Sequence, residues 1–245
     1  MRTQFAITAW AAWAPGLTSP SQWLQWASSP GLPAGEGQPA LGEMPAMLRR
    51  RLGPLGRMAA TVAYHCQPSS GIPVVFASRY GDADRSLGLL RAFSVGAPVS
   101  PADFALSVHN AIGAVYSIAR RDTGNFSSIA AGPASAAAAV VESAGLLQDG
   151  APEVLVVCYD ASLPGDYSAF ADEAPAVYAW AWRVTAPEAG QPHLSLSCDA
   201  ANDEERTPDA HDLPFGLDVF RFSLSTDRVL QRDCANMRWK WSRHG

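Results

Sequence analysis

Residues 126–160 alternate short apolar runs with small-residue stretches in an ordered way. A brief β-type run, FSSI, leads through the turn around Gly132 and Pro133 into an alanine-rich segment. VLVVCYD then follows, bounded by turn residues and apolar almost throughout, as in a strand covered on both faces. The rest of the chain repeats this alternation. Residues 5–13, 72–78 and 176–184 read as strands. Residues 21–27 read as a short helix, with Ser19 or Ser21 as its cap. Residues 45–63 have near-helical apolar spacing interrupted at Gly53-Pro54, and 84–95 are amphipathic. Ser100-Pro101 opens a helix expected to run through Phe104, Val108 and Ile112. Residues 28–42 read as a Pro/Gly-rich loop, and 220–225 as a last strand. Strands alternating with helices, and buried on both faces, predict an α/β layered fold.

The tail changes character. Asp199, Asp203, Glu204, Glu205, Asp209 and Asp212 crowd 199–213, which reads as an exposed loop. Residues 228–243 are basic and Trp-bearing, with Arg238, Lys240 and Arg243, and read either as a surface for an acidic carrier protein or a partner subunit, or as a solvated C-terminus packed by its tryptophans. We take 1–245 as a single domain with a core over about 1–185 and this acidic loop and basic tail over 186–245.

A strand that turns into a helix points the helix's first N–H groups and its positive dipole end at the side chain on the turn. A Cys there would be an activated nucleophile. Pro133 brings neither a nucleophile nor an N–H. The layout is a catalyst's and the residue is not.

Ser128-Ile129-Ala130-Ala131-Gly132-Pro133-Ala134-Ser135 resembles the nucleophile segment of beta-ketoacyl synthases, with Pro133 on the catalytic Cys and Ser135 on the motif's Ser. Residues 104–110, with Gly113 and Ile118, and residues 74–81 resemble earlier segments of that family. The opening, with Trp10, Trp13, Trp23 and Trp26, looks like the small synthase-like subunits of aryl polyene and related pathways, which are grouped with chain-length factors. The resemblance covers about residues 1–185. It implies the N-terminal half of a thiolase-like fold, with layered helices on a five-stranded mixed sheet, and pairing of chains through the strand before the nucleophile. It also implies a non-catalytic subunit that pairs with an active ketosynthase as a heterodimer and shapes the acyl tunnel. His109, Asn110, Ser128, Ile129, Gly132, Pro133, Ser135 and Ala138 are the interface or tunnel candidates. The second half of the active synthases, with its two catalytic histidines, is missing. His193, His211 and His244 sit in no matching motif. An acyltransferase or decarboxylase using another residue, and a carrier-protein scaffold, remain as alternatives.

Other candidate chemistry reads as structure. Ser135 lacks a G-x-S-x-G elbow. His109 reads as a hydrogen-bonded structural histidine, and Asp160 at its strand end as either a functional group or a loop cap. The arginines 49, 50, 51 and 57 read as a solvated face, or more sharply as a contact for acyl carrier protein. Cys66, Cys158, Cys198 and Cys234 lie far apart without a CxxC pair, so reduced thiols are expected and zinc is not. No metal or cofactor is expected. A net charge of −5 and the lack of a basic, aromatic-interleaved face speak against nucleic acid. No run approaches a membrane span and the N-terminus lacks a cleavage site, so a cytoplasmic protein is expected.

Overall fold

The computed structural model describes residues 1–67, 70–201 and 212–245. In chain order the elements are β1 (Arg2–Trp13), α1 (Pro20–Ser28), α2 (Ala46–Arg49), α3 (Pro54–Cys66), β2 (Val74–Ala77) and α4 (Ala83–Ser94). They continue with α5 (Pro101–Ala105), α6 (Ala111–Arg120), β3 (Phe126–Ile129), α7 (Ser135–Gln148) and β4 (Val154–Asp160). After a 3-10 turn (Gly165–Phe170) come β5 (Tyr178–Thr185), β6 (His193–Ala200), α8 (Phe215–Leu224), β7 (Val229–Cys234) and β8 (Met237–His244).

Among the described residues the sheet has eight strands, in the order β3-β2-β4-β5-β1-β6-β8-β7. The five-stranded expectation is corrected by the tail. β6, β8 and β7 add antiparallel strands beyond β1, where a loop and a terminal segment were expected. The mixed character holds: β2 pairs in parallel with β3 and β4, and the other pairs are antiparallel.

Side chains alternate across the central strands, so each strand feeds two cores. Val154, Val156 and Cys158 of β4 join Trp180, Trp182 and Phe220 on the α7/α8 side. Leu155, Val157 and Tyr159 join Met58, Val62 and Tyr116 on the α3/α6 side. This two-sided burial accounts for the continuous apolar runs. In β1 an irregularity between Ile7 and Ala9 shifts the register, so that Phe5 and Trp10 share one core while Trp13 faces the other.

The interruption expected at Gly53-Pro54 is there: α2 stops at Arg49, and Pro54, with Gly53 extended before it (ψ 179°), opens α3. Local expectations met tertiary context in two other places. The helix begun at Ser100-Pro101 stops at Ala105 and resumes as α6. Residues expected as a strand at 220–225 lie in α8 and beyond its end. Phe220 stacks on Trp180 (5.7 Å between centroids, 10° between planes) and meets Trp23 edge-on. Burial on this aromatic layer overrides β propensity. At α1, Ser19 is the cap, and Gln22 completes a reciprocal capping box.

Candidate functional site

The strand-turn-helix at 126–148 has the expected geometry. Among the described residues β3 is an edge strand, paired with β2 on one side only. The chain then bends through Gly132, whose φ of +57° lies in the left-handed region that glycine adopts without strain. Pro133 follows, half-buried, at the mouth of α7. The helix has Ala134 at its cap position and so lacks a side-chain cap. Ser135 does the clamping instead. Its Oγ accepts from the Ala131 N–H at 3.0 Å and donates to the Gly132 carbonyl at 2.7 Å. Both roles of that hydroxyl are spent on the turn, and Ser135 is buried.

Pro133 lines a cleft of about 510 Å³ with Glu173, Phe215, Arg232, Asp233 and Cys234 among the other walls. Charged groups form part of its wall. Glu173 Oε2 accepts from Arg79 at 2.6 Å, its Oε1 accepts from the Phe215 N–H at 2.8 Å, and Arg232 approaches Oε1 at 3.7 Å. Arg79 also pairs with Asp172, and Arg232 with Asp218 at 3.1 Å. Burial disfavours the Arg79 guanidinium, but the acids around it outweigh that effect and raise its pKa. Among the described residues no histidine lines the cleft.

Cys234 places its sulfur against the Ala134 N–H, at the start of α7. Burial pushes this thiol above the ordinary thiol range in spite of that N–H, and Glu173 pushes it further. A thiol at a helix N-terminus is held here in its unreactive form.

His109 sits elsewhere, as a strut. Its Nε2 meets the Ser78 carbonyl at 2.9 Å, and its ring packs on Gly81, where an added Cβ would come within 3.1 Å. Asn110 precedes α6 without a side-chain cap. Ser128 and Ile129 lie in the β3 edge, with Ile129 packed on the α7-side core. Ala138 is half-buried on α7. The fold thus brings Gly132, Pro133 and Ser135 into one turn and leaves His109 and Asn110 outside the cleft lining. Asp160 caps the loop after β2. Its Oδ1 accepts from Ser78 Oγ at 2.9 Å, the Arg79 N–H at 2.8 Å and the Tyr80 N–H at 3.4 Å.

The acidic and basic groups lining the cleft were not foreseen. The only signal in the sequence is Asp172-Glu173 within an Ala/Pro-rich loop, and spacing does not say which arginine they meet. The basic tail is also less free than expected. Arg238 pairs with Asp233 at 3.0 Å, and Arg243 donates to the last carbonyls of α8 at Phe222 and Ser223. Asp199 lies within β6 and not in a loop, whereas Asp203, Glu204, Glu205, Asp209 and His211 lie outside the described residues. Among the described residues no group of three or more His, Cys, Asp or Glu is placed to hold a metal ion, and no helix is long and apolar enough to cross a membrane.

Edge strand, glycine turn and helix on a mixed sheet define a ketosynthase-type α/β protein. The chain belongs to the beta-ketoacyl synthase N-terminal domain family, whose pattern matches residues 23–242. The match reaches beyond residue 185, so the strands and helix of the tail are part of the family's domain. Comparison with curated proteins finds no match. Among solved structures, a chain from the complex of the ketosynthase ApeO with its chain length factor ApeC from Xenorhabdus doucetiae is 25% identical. That match covers 98% of this chain and 100% of the other, with a TM-score of 0.84. The ishigamide ketosynthase/chain length factor is 17% identical, covering 83% and 69%, with a TM-score of 0.57. A chain from AntDE:AntF, a type II acyl-carrier protein in complex with its ketosynthase, is 12% identical, covering 83% and 71%, with a TM-score of 0.59. The last two likenesses speak to fold alone.

Proposed function

We propose that this chain is a non-catalytic, chain-length-factor-type subunit that pairs with a catalytic ketosynthase in the cytoplasm. It walls the acyl tunnel during aryl polyene or polyketide-type chain elongation. The observation that carries the reading is Pro133 at the start of α7, where a condensing enzyme needs a thiolate. The adjoining cleft supports it, because among the described residues its lining holds ion-paired groups and no histidine.

The partner-facing surface follows from exposure. β3 offers an unpaired edge, which natural proteins pair or cover. Residues 88–105 are almost wholly exposed and carry Phe93 (75% exposed), Val95 (80%) and Phe104 (62%), beside Leu90 and Val108. Apolar side chains gathered on an uncovered segment suit burial against a partner protein. Arg50 and Arg51 lie exposed beside α2, and Arg85 donates to the Arg51 carbonyl at 3.1 Å. This basic group suits an acidic acyl carrier protein.

Cys234 favours a second reading, an acyltransferase with a displaced nucleophile, because its sulfur sits at the helix start beside Pro133. Its raised thiol pKa and the lack of a histidine in the described cleft lining weigh against that reading.

The test is co-expression with a catalytic ketosynthase, followed by intact-mass analysis after incubation with acyl- and malonyl-carrier proteins. A one-to-one complex and an unacylated chain are expected. A stoichiometric acyl adduct on Cys234 would establish the second reading. A monodisperse monomer, dispensable for product length, would overturn the first.

A further inference from the structure

His193 opens β6 and His244 ends β8, and the two stand directly opposite each other in the antiparallel ladder. β6 and β8 turn one face to the core through Leu194, Leu196 and Trp241. Alternation puts both histidines on the other face, where each is half-buried. Their imidazole rings meet with centroids 4.8 Å apart and planes at 20°.

Each ring has one nitrogen held by an oxygen and one left over. His193 Nδ1 meets the Gln191 carbonyl at 3.0 Å. A carbonyl only accepts, so Nδ1 carries the proton and Nε2 of the neutral ring keeps its lone pair. That carbonyl is itself fixed, because Gln191 bonds Glu188 through its backbone N–H at 3.2 Å and its side chain at 2.9 Å. His244 Nε2 meets the buried Ser195 Oγ at 2.8 Å. The hydroxyl can accept from Nε2–H, which leaves the lone pair on His244 Nδ1. A ring with one N–H tied to an oxygen and the other nitrogen free is the arrangement of metal-ligating histidines. Arg243, the neighbouring cation, is turned to the Phe222 and Ser223 carbonyls of α8.

We infer that His193 and His244 form a two-histidine site for one divalent transition-metal ion of the zinc, nickel and copper group. Two imidazoles that share one ion at roughly 2.0–2.1 Å and a near-tetrahedral angle have ring centres about 5 Å apart, which is the spacing seen here. Binding requires the rings to splay from their stack, a turn about Cβ–Cγ that moves neither strand. Two protein ligands leave the other positions to solvent, so the site is an open clip across the strand ends and lies below the sets of three or more ligands. Magnesium and calcium prefer oxygen donors and find none of their usual carboxylates in this pair. The inference does not rest on the subunit assignment.

The test uses the full chain, freed of metal with a chelator and then dialysed. Calorimetric titration with zinc chloride should show one saturable equivalent, and zinc at about ten times the dissociation constant should raise Tm by about 2–4 °C. Magnesium chloride should do neither. His193→Phe and His244→Phe keep a stacked ring and remove one ligand, so each should abolish the zinc-induced rise, whereas His65→Phe should leave it intact. Paramagnetic nickel should broaden the wild-type amide resonances around residues 193 and 244 first, a measurement that decides the matter if a Phe variant fails to fold. No saturable zinc binding, an undiminished rise in either ring variant, or nickel broadening centred on His65 or Cys234 would overturn the site.

Discussion

Arg232 of β7 and Asp218 of α8 form an ion pair at 3.1 Å, with both side chains nearly excluded from solvent. The pair ties the added strands to the helix that covers them, and through Glu173 it reaches the cleft beside Pro133. Arg232→Met removes the cation, but Asp218 keeps Arg221 and Glu173 keeps Arg79. The expected loss is therefore about 2 kcal/mol, below the roughly 3–5 kcal/mol of a buried charge left alone. Urea unfolding of both proteins measures it; an unchanged midpoint would show that the pair contributes nothing net.

Gly113 faces the edge strand with no room to spare. A Cβ there would lie 3.0 Å from ring atoms of both Phe76 and Phe126. Gly113→Ala should cost about 1–3 kcal/mol by overpacking, even though alanine is the better helix former. Thermal unfolding should show a lower midpoint, and a rise would mean that the rings move aside freely.

The four thiols should differ in reactivity. Cys66, Cys158 and Cys198 are buried, and burial pushes Cys66 up to about 11. Cys234 is partly accessible. At pH 7.5 a maleimide should label Cys234 first and the others only on unfolding. Labelling of Cys66 in the native chain should rise by about tenfold per pH unit up to about pH 11, because the thiolate is the nucleophile. Peptide mass mapping checks the order, and uniform labelling would contradict the burial described.

A thiol at residue 133 should not confer catalysis. Pro133→Cys puts sulfur at the turn, yet among the described residues no histidine lines the cleft to take its proton. No condensation product is expected from the purified variant with acyl- and malonyl-carrier proteins, by mass spectrometry. Turnover would mean that the missing nucleophile alone separates this chain from an enzyme.

Phe93 and Phe104 should matter only in a complex. Both are exposed, so Phe93→Glu or Phe104→Glu should change the stability of the isolated chain by about 0.5 kcal/mol or less. Either change should dissociate the complex with the ketosynthase on size-exclusion chromatography. Co-elution that survives both would move the interface away from α4 and α5.

The central strands and the turn could be read directly from residue order, because burial on both faces of a sheet writes itself as an unbroken apolar run. VLVVCYD became β4 and FSSI became the edge strand β3. Pro133 at the helix mouth was equally legible, since which residue stands on a turn is a matter of residue identity alone. Three-dimensional packing decided the rest. FRFSLS has the composition of a strand, yet most of it lies in α8 because Trp10, Trp23 and Trp180 offer Phe220 an aromatic surface. The basic tail became β7 and β8, because Leu230 and Trp241 could be buried only by extending the sheet. The charged wall of the cleft depends on Arg79, Glu173 and Arg232, which are far apart in the chain. Ion pairs between distant residues leave no periodicity in a sequence, so only the folded chain could show which charges meet.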